Sequence, residues 1–159
     1  MTFGRAIMFV RLALEEDFDA IVRMASANIA ETRPGMTFNE ERCRATLRSY
    51  IERASPTFFV VEENRRVIAF LTADFYEYRA ADGLFTTQEV LFVLPERRGS
   101  RAAAILMKHL IAWSQRLGAR EIIGGNDNEF NSERTARFLE HFGFERVGFS
   151  MRRTMADGQ

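Results

Sequence analysis

The residues best equipped for chemistry lie in one stretch, Glu89-Val-Leu-Phe-Val-Leu-Pro-Glu-Arg-Arg-Gly-Ser-Arg-Ala-Ala-Ala104. It reads as a strand stopped at Pro95, a short turn bearing arginine and glycine, and the start of a helix. The first backbone N–H groups of a helix have no partner within it. Together with the positive end of the helix dipole they attract anions, a diphosphate above all. Gly99, Ser100, Ala102, Ala103 and Ala104 are small enough to let a ligand approach that backbone, and Arg97, Arg98 and Arg101 add positive charge beside it. On the residues alone two readings stand level: a phosphate cradle, and an ordinary strand-to-helix turn with solvated arginines.

A cradle needs larger elements to hold it. Ile7 to Leu14 reads as a first strand, and Glu15, Glu16 and Asp17 then open a helical pattern that Thr32-Arg-Pro-Gly35 breaks. A second helix runs from a cap at Asn39 to Arg53, with Cys43, Leu47 and Tyr50 or Ile51 as its apolar stripe. Thr57 to Val61 and Val67 to Tyr78 form a hairpin, and Leu84 to Leu94 is a third antiparallel strand. Beyond the turn, Leu106, Leu110, Trp113 and Leu117 fall on one face of a helix from Ser100 to Leu117, closed by Gly118. Ala119 to Ile123 is a short strand, Asn131 or Ser132 caps a last helix ending at His141, and Phe144 to Met155 gives one or two terminal strands. This order predicts an α/β (α+β) fold, with a mixed, mostly antiparallel central sheet of six to seven strands and helices on both faces.

The chain has 159 residues, 47% of them apolar and 28% charged, which suits a single domain over 1–159, with 153–159 as a flexible tail. Its 22 basic and 22 acidic residues cancel, so the basic excess of a protein living on nucleic acid or an anionic membrane is missing. Cys43 is the only cysteine, and His109 and His141 are the only histidines, so neither a disulfide nor a Cys- or His-built metal site is expected. No apolar run is long enough to span a bilayer, and the N-terminal residues lack the pattern of a signal peptide, which predicts a cytoplasmic protein.

The run Val93 to Ala103 resembles the acetyl-CoA pyrophosphate loop of the GNAT superfamily of N-acetyltransferases. Arg98 fits the loop's first position and Ala103 its last, while Arg101 stands where a middle glycine belongs. A residue with helical φ needs no glycine, so Arg101 fits if its Cβ points away from the phosphates. A second block, Asn131 to Arg146, is similar to the family's last helix and the strand that follows.

The resemblance implies an enzyme that moves an acetyl group from acetyl-CoA to a primary amine of a small molecule or peptide, with no metal. It implies that main-chain atoms of Leu91, Phe92 and Val93 hold the pantetheine arm. Amides from Gly99 through Ser100, Arg101, Ala102 and Ala103 to Ala104 would hold the pyrophosphate, with Arg98 shaping the loop. Asn131 or Ser132 would lie near the pantetheine or acetyl end, and Phe138 would pack on the cofactor. Many relatives use a tyrosine of the last helix as acid; by register that position is Leu139, which has no proton to give. Glu89 is the candidate base, working through a water. The alternatives are a strand-end surface charge at Glu89, or a base among Asp74, Tyr76, Glu77 and Tyr78 on the neighbouring strand. A non-catalytic acyl-CoA-binding module of the same fold is the rival reading.

Other conspicuous residues have plain explanations. Trp113 and Cys43 fall on apolar stripes and read as core, and both histidines read as boundary or surface positions. Phe130, Phe142, Phe144 and Phe149 read equally as core or as a homodimer surface.

Overall fold

The computed structural model describes residues 7–126 and 128–156. Strand β1 (Met8–Leu12) leads through a one-turn helix at Glu15–Asp17 into α1 (Phe18–Thr32), and α2 (Glu40–Arg53) follows. Three strands come next, β2 (Thr57–Glu63), β3 (Arg66–Glu77) and β4 (Leu84–Val93), then α3 (Ala102–Arg116), β5 (Ile122–Ile123) and α4 (Ser132–His141). The sheet has the spatial order β1-β2-β3-β4-β5; the first four strands are antiparallel neighbours and β5 lies parallel to β4.

Side chains alternate across the strands, so each strand feeds two cores. Phe58, Val60, Phe70 and Phe92 pack beneath Ile21, Val22 and Met24 of α1 and Leu47 and Tyr50 of α2. Phe59, Val61, Leu71 and Val93 pack against Leu106, Met107 and Leu110 of α3 and Leu139 of α4. Helices therefore cover both faces, as the element order predicts.

Local chemistry sets the helix ends. The Asn39 side chain accepts the Arg42 amide at 2.9 Å and caps α2. Asp17 takes two hydrogen bonds from the Arg11 guanidinium and one from the Leu14 amide, tying β1 to the start of α1. Trp113 meets Phe59 edge to face at 5.6 Å, and His109 lies 4.8 Å from the same ring, where burial pushes its pKa down. Cys43 is half-buried on the α2 side of the sheet.

Among the described residues the sheet has five strands, not six or seven. The expected terminal strands between Phe144 and Met155 do not form. Strand β5 is two residues long and offers almost no ladder to pair with. Arg146 instead anchors the chain to α4 through Glu140 at 2.7 Å and Glu133 at 2.8 Å. Phe142 and Phe144 pack against the α3–α4 core, whereas Val147, Phe149 and Met151 stand open to solvent. Residues 153–156 carry no regular structure, and 157–159 lie outside the described residues. Among the described residues no helix is long and apolar enough to cross a membrane.

Candidate active site

Strand β4 carries the site because its two edges differ. On one side it pairs with β3 from Leu84 to Val93. On the other it pairs with β5 only at Thr86 and Thr87, after which the two strands part. The Gln88 side chain reaches over this parting, accepting weakly from the Gly125 amide at 3.4 Å. Leu94 donates to the Ile68 carbonyl at 2.9 Å, which sets the alternation of the antiparallel ladder. Phe92 then spends its main-chain groups on Phe70, while those of Leu91 and Val93 face the open edge. The resemblance assigns all three main chains to one task; the ladder leaves Leu91 and Val93 unpaired, although Arg98 takes up the Val93 carbonyl.

The register slips once. Thr72 lies opposite Val90 and Ala73 opposite Gln88, so Glu89 is an extra residue, a β-bulge. The Thr72 hydroxyl accepts the Val90 amide at 3.0 Å and steadies the bulge. The bulge turns Glu89 out at the point where the open edge begins. Its carboxylate keeps contact with solvent and accepts a long hydrogen bond from the Thr87 hydroxyl at 3.3 Å. Partial loss of water, and the nearby Asp74 carboxylate, raise its pKa above the ordinary glutamate range.

Asp74 itself is buried and spoken for. It accepts from the Ser55 hydroxyl at 2.9 Å, from the Phe75 amide at 2.9 Å and from Tyr76 at 3.3 Å. Tyr78 points elsewhere, donating to Glu121 at 2.8 Å. Of the acidic and phenolic candidates named from sequence, Glu89 alone lines the cavity along β4.

That cavity, about 480 Å³, follows the open edge of β4 from Gln88 to Val93 and is closed by α1, α3 and α4. Leu91, Phe92, Val93, Arg98, Ala103, Asn131 and Phe138 line it together with Glu89. Gly99, Ser100, Arg101, Ala102, Ala104 and Ser132 do not. Asn131 takes a left-handed conformation at the start of α4 and faces the cavity, which separates it from Ser132.

At the far end the turn behaves as its residues suggest. Gly99 has φ +84°, a conformation only glycine adopts freely, and Arg101 has φ −76°, so it needs no glycine. The Ser100 hydroxyl accepts the Ala102 amide at 3.3 Å, and Ile105 is the first residue to donate back to the turn, at Arg101. The amides of Ala103 and Ala104 find no acceptor among the described residues.

The arginines divide their duties. Arg97 binds Glu63 at 2.6 Å. Arg98 donates to the Val93 carbonyl at 3.1 Å, pairs with Glu31 of α1 at 2.9 Å and lies over the Phe92 ring at 5.3 Å. It therefore folds the turn back on the strand. Arg101 has no ion partner among the described residues and is exposed.

The profile of the acetyltransferase (GNAT) family matches residues 15–144. The chain belongs to this family. No curated protein matches it by sequence. Solved structures match its fold. A transcriptional regulator from Bacillus halodurans C-125 superposes with TM-score 0.80 at 17% identity, covering 94% of this chain and 100% of that one. The aminoglycoside N-acetyltransferase AAC(6')-Iy in complex with CoA gives 0.74 at 19%, over 97% and 100%. A ribosomal-protein-alanine N-acetyltransferase from Brucella melitensis biovar Abortus 2308 gives 0.76 at 9%, over 94% and 100%.

In this GNAT chain, sequence reasoning missed several residues of the cavity. Arg134 and Thr135 of α4, and Asn28 and Glu31 of α1, line it as well. Only a helical projection of α4 from Asn131 would have brought Arg134, Thr135 and Phe138 together on one face; nothing in the sequence turns α1 toward β4. Leu139 lines the cavity too and is almost fully buried, so α4 presents carbon where a proton donor would serve.

Proposed function

We propose that the protein is an N-acetyltransferase that moves an acetyl group from acetyl-CoA to a primary amine. One observation carries the reading: the unpaired edge of β4 opens on a cavity that runs from the turn before α3 to the carboxylate of Glu89. The amides of Ala103 and Ala104, which lack an acceptor at the start of α3, fit a diphosphate together with Arg98. The open main chain of Leu91 and the Val93 amide fit the amides of a pantetheine arm, and Phe138 supplies an apolar wall. Bound acetyl-CoA would supply an activated thioester.

Glu89 then has a defined task. An amine reaches the site as an ammonium and must lose a proton before its nitrogen bonds to the acetyl carbon. The Glu89 carboxylate takes that proton, directly or through one water, and its raised pKa brings it nearer the working pH of a general base. The carbon–sulfur bond breaks as the amide forms. Leu139 donates nothing, so the departing sulfur is protonated by water.

The first test is a thermal-shift titration with acetyl-CoA, CoA and adenosine diphosphate. A ligand that binds only the folded state raises its stability, and saturating acetyl-CoA is expected to raise Tm by several degrees. No shift at millimolar ligand overturns the reading. The absence of a proton donor at Leu139 favours one rival, a non-catalytic acyl-CoA-binding module. That rival predicts the same shift but no release of CoA thiol with any amine.

A further inference from the structure

Glu89 stands between two cavities. The second, about 380 Å³, opens on the other side of the bulge, between α1, the connection to α2, α2 itself and the sheet. Asn28, Ile29, Glu89 and Val90 line both, so the two spaces meet at the bulge. The walls of the second are mostly carbon, from Ile21, Phe38, Cys43, Phe58, Phe70 and Val90, with Asn28, Asn39 and several threonines also in the lining. Ile21, Phe58 and Phe70 are buried core residues, so that surface is fixed by the fold rather than assembled on binding.

The charge pattern is equally simple. Glu89 is the only carboxylate in the lining of the second cavity, and it sits where that space joins the first; the one basic side chain of the lining, Arg42, is solvent-exposed. Asp74 adds negative potential at the same point, which is part of why Glu89 resists ionisation. Such a cavity offers one place for one positive charge, with apolar surface beyond it. Its volume lies at the small end of ligand pockets, which run from about 300 Å³ upward, so it has room for a ring-sized group.

Building on the acetyltransferase reading, we propose that the acceptor is a small monoamine bearing one apolar group, aromatic or branched aliphatic. Its ammonium lies at Glu89 and its apolar group fills the second cavity. A polyamine with several ammonium groups is disfavoured, because the lining holds one carboxylate and is otherwise mostly carbon, so the further charges would lose water without an ionic partner. A short amine without an apolar group leaves the cavity unused.

The experiment compares three acceptors with the full chain and saturating acetyl-CoA: 2-phenylethylamine, ethylamine and the aminoglycoside kanamycin. CoA release is followed with a thiol reagent after quenching, and acetyl-CoA affinity is measured separately by calorimetry. Phenylethylamine is expected to exceed ethylamine in kcat/KM by about a hundredfold, the discrimination that burying a phenyl ring commonly brings. Two substitutions that fill the cavity, Cys43→Phe and Ala25→Leu, are each expected to collapse that ratio, with an unchanged acetyl-CoA Kd certifying the fold. Cys43 also gives a readout without turnover. With CoA bound, phenylethylamine is expected to slow alkylation of this cysteine by N-ethylmaleimide, read by mass, and ethylamine is not.

Ethylamine or kanamycin performing as well as phenylethylamine overturns the proposal while leaving the acetyltransferase reading intact. So does a preference that survives both filled variants. Acetyl-CoA binding without acetylation of any of the three, and without protection of Cys43, also overturns it. Failure of acetyl-CoA to bind at all overturns the acetyltransferase reading, and this proposal with it.

Discussion

Along its β3 edge strand β4 is paired from Leu84 to Val93; along its β5 edge the pairing ends at Thr87. The two edges belong to one backbone and have opposite consequences. The paired edge places Phe92 and Val93 in the two cores and fixes the sheet. The open edge leaves main-chain groups of Leu91 and Val93 and the bulged Glu89 facing a cavity. Function here arises where the ladder stops, and the stop is set by a partner strand only two residues long.

Substitutions on the two edges should separate these roles. The largest effect is expected from Ala103→Glu on the open side, which sets a carboxylate against the free amides at the start of α3. Like charges in contact cost several kcal/mol, so acetyl-CoA affinity by calorimetry should fall about a thousandfold with Tm of the free protein little changed. On the paired side, Leu71→Ala removes a fully buried side chain of β3. It should cost about 3 kcal/mol in urea unfolding, within the range for buried leucines, and still bind acetyl-CoA where folded.

Glu89→Gln tests the bulge. Turnover should drop about a hundredfold, the lower end of general-base contributions, while acetyl-CoA affinity holds. Full activity would assign the proton to another acceptor. The pH profile adds a sign. A base works when ionised, so the wild-type rate should fall as pH falls through the Glu89 pKa, and this limb lies above the usual carboxylate range. Asp74→Asn removes the neighbouring negative charge that helps raise it, so the limb should move to lower pH; a limb that stays put would discount that coupling. The smallest effect is expected from Phe149→Ser. That ring is 96% exposed, and stability should change by no more than about 0.5 kcal/mol.

The sequence was most informative where one residue type has one use. Asn39 as a cap, Gly99 and Gly118 with positive φ, and the apolar stripe of α3 at Leu106 and Leu110 all appear where local chemistry requires them. The strand-to-helix turn was legible for the same reason, down to the helical φ of Arg101. Features that depend on pairing were not legible. The bulge at Glu89 exists only in the register of β4 against β3, and neither strand announces it alone. The duties of Arg97 and Arg98 depend on Glu63 and Glu31, residues 34 and 67 positions away in the chain. The segment after Phe144 shows the converse. Its alternating Val147, Phe149 and Met151 have the pattern of a strand, but alternation needs a neighbour, and the described residues provide none.

The uneven edges of β4 leave a signature in the exchange of amide hydrogens with deuterated water. The Phe92 amide sits inside the ladder with β3 and opens only when the sheet opens. The amides of Leu91 and Val93, one residue to either side, face the cavity and have no strand to protect them. Slow and fast positions therefore alternate along a single strand, and a molecule settling on the open edge would erase the alternation without moving the backbone.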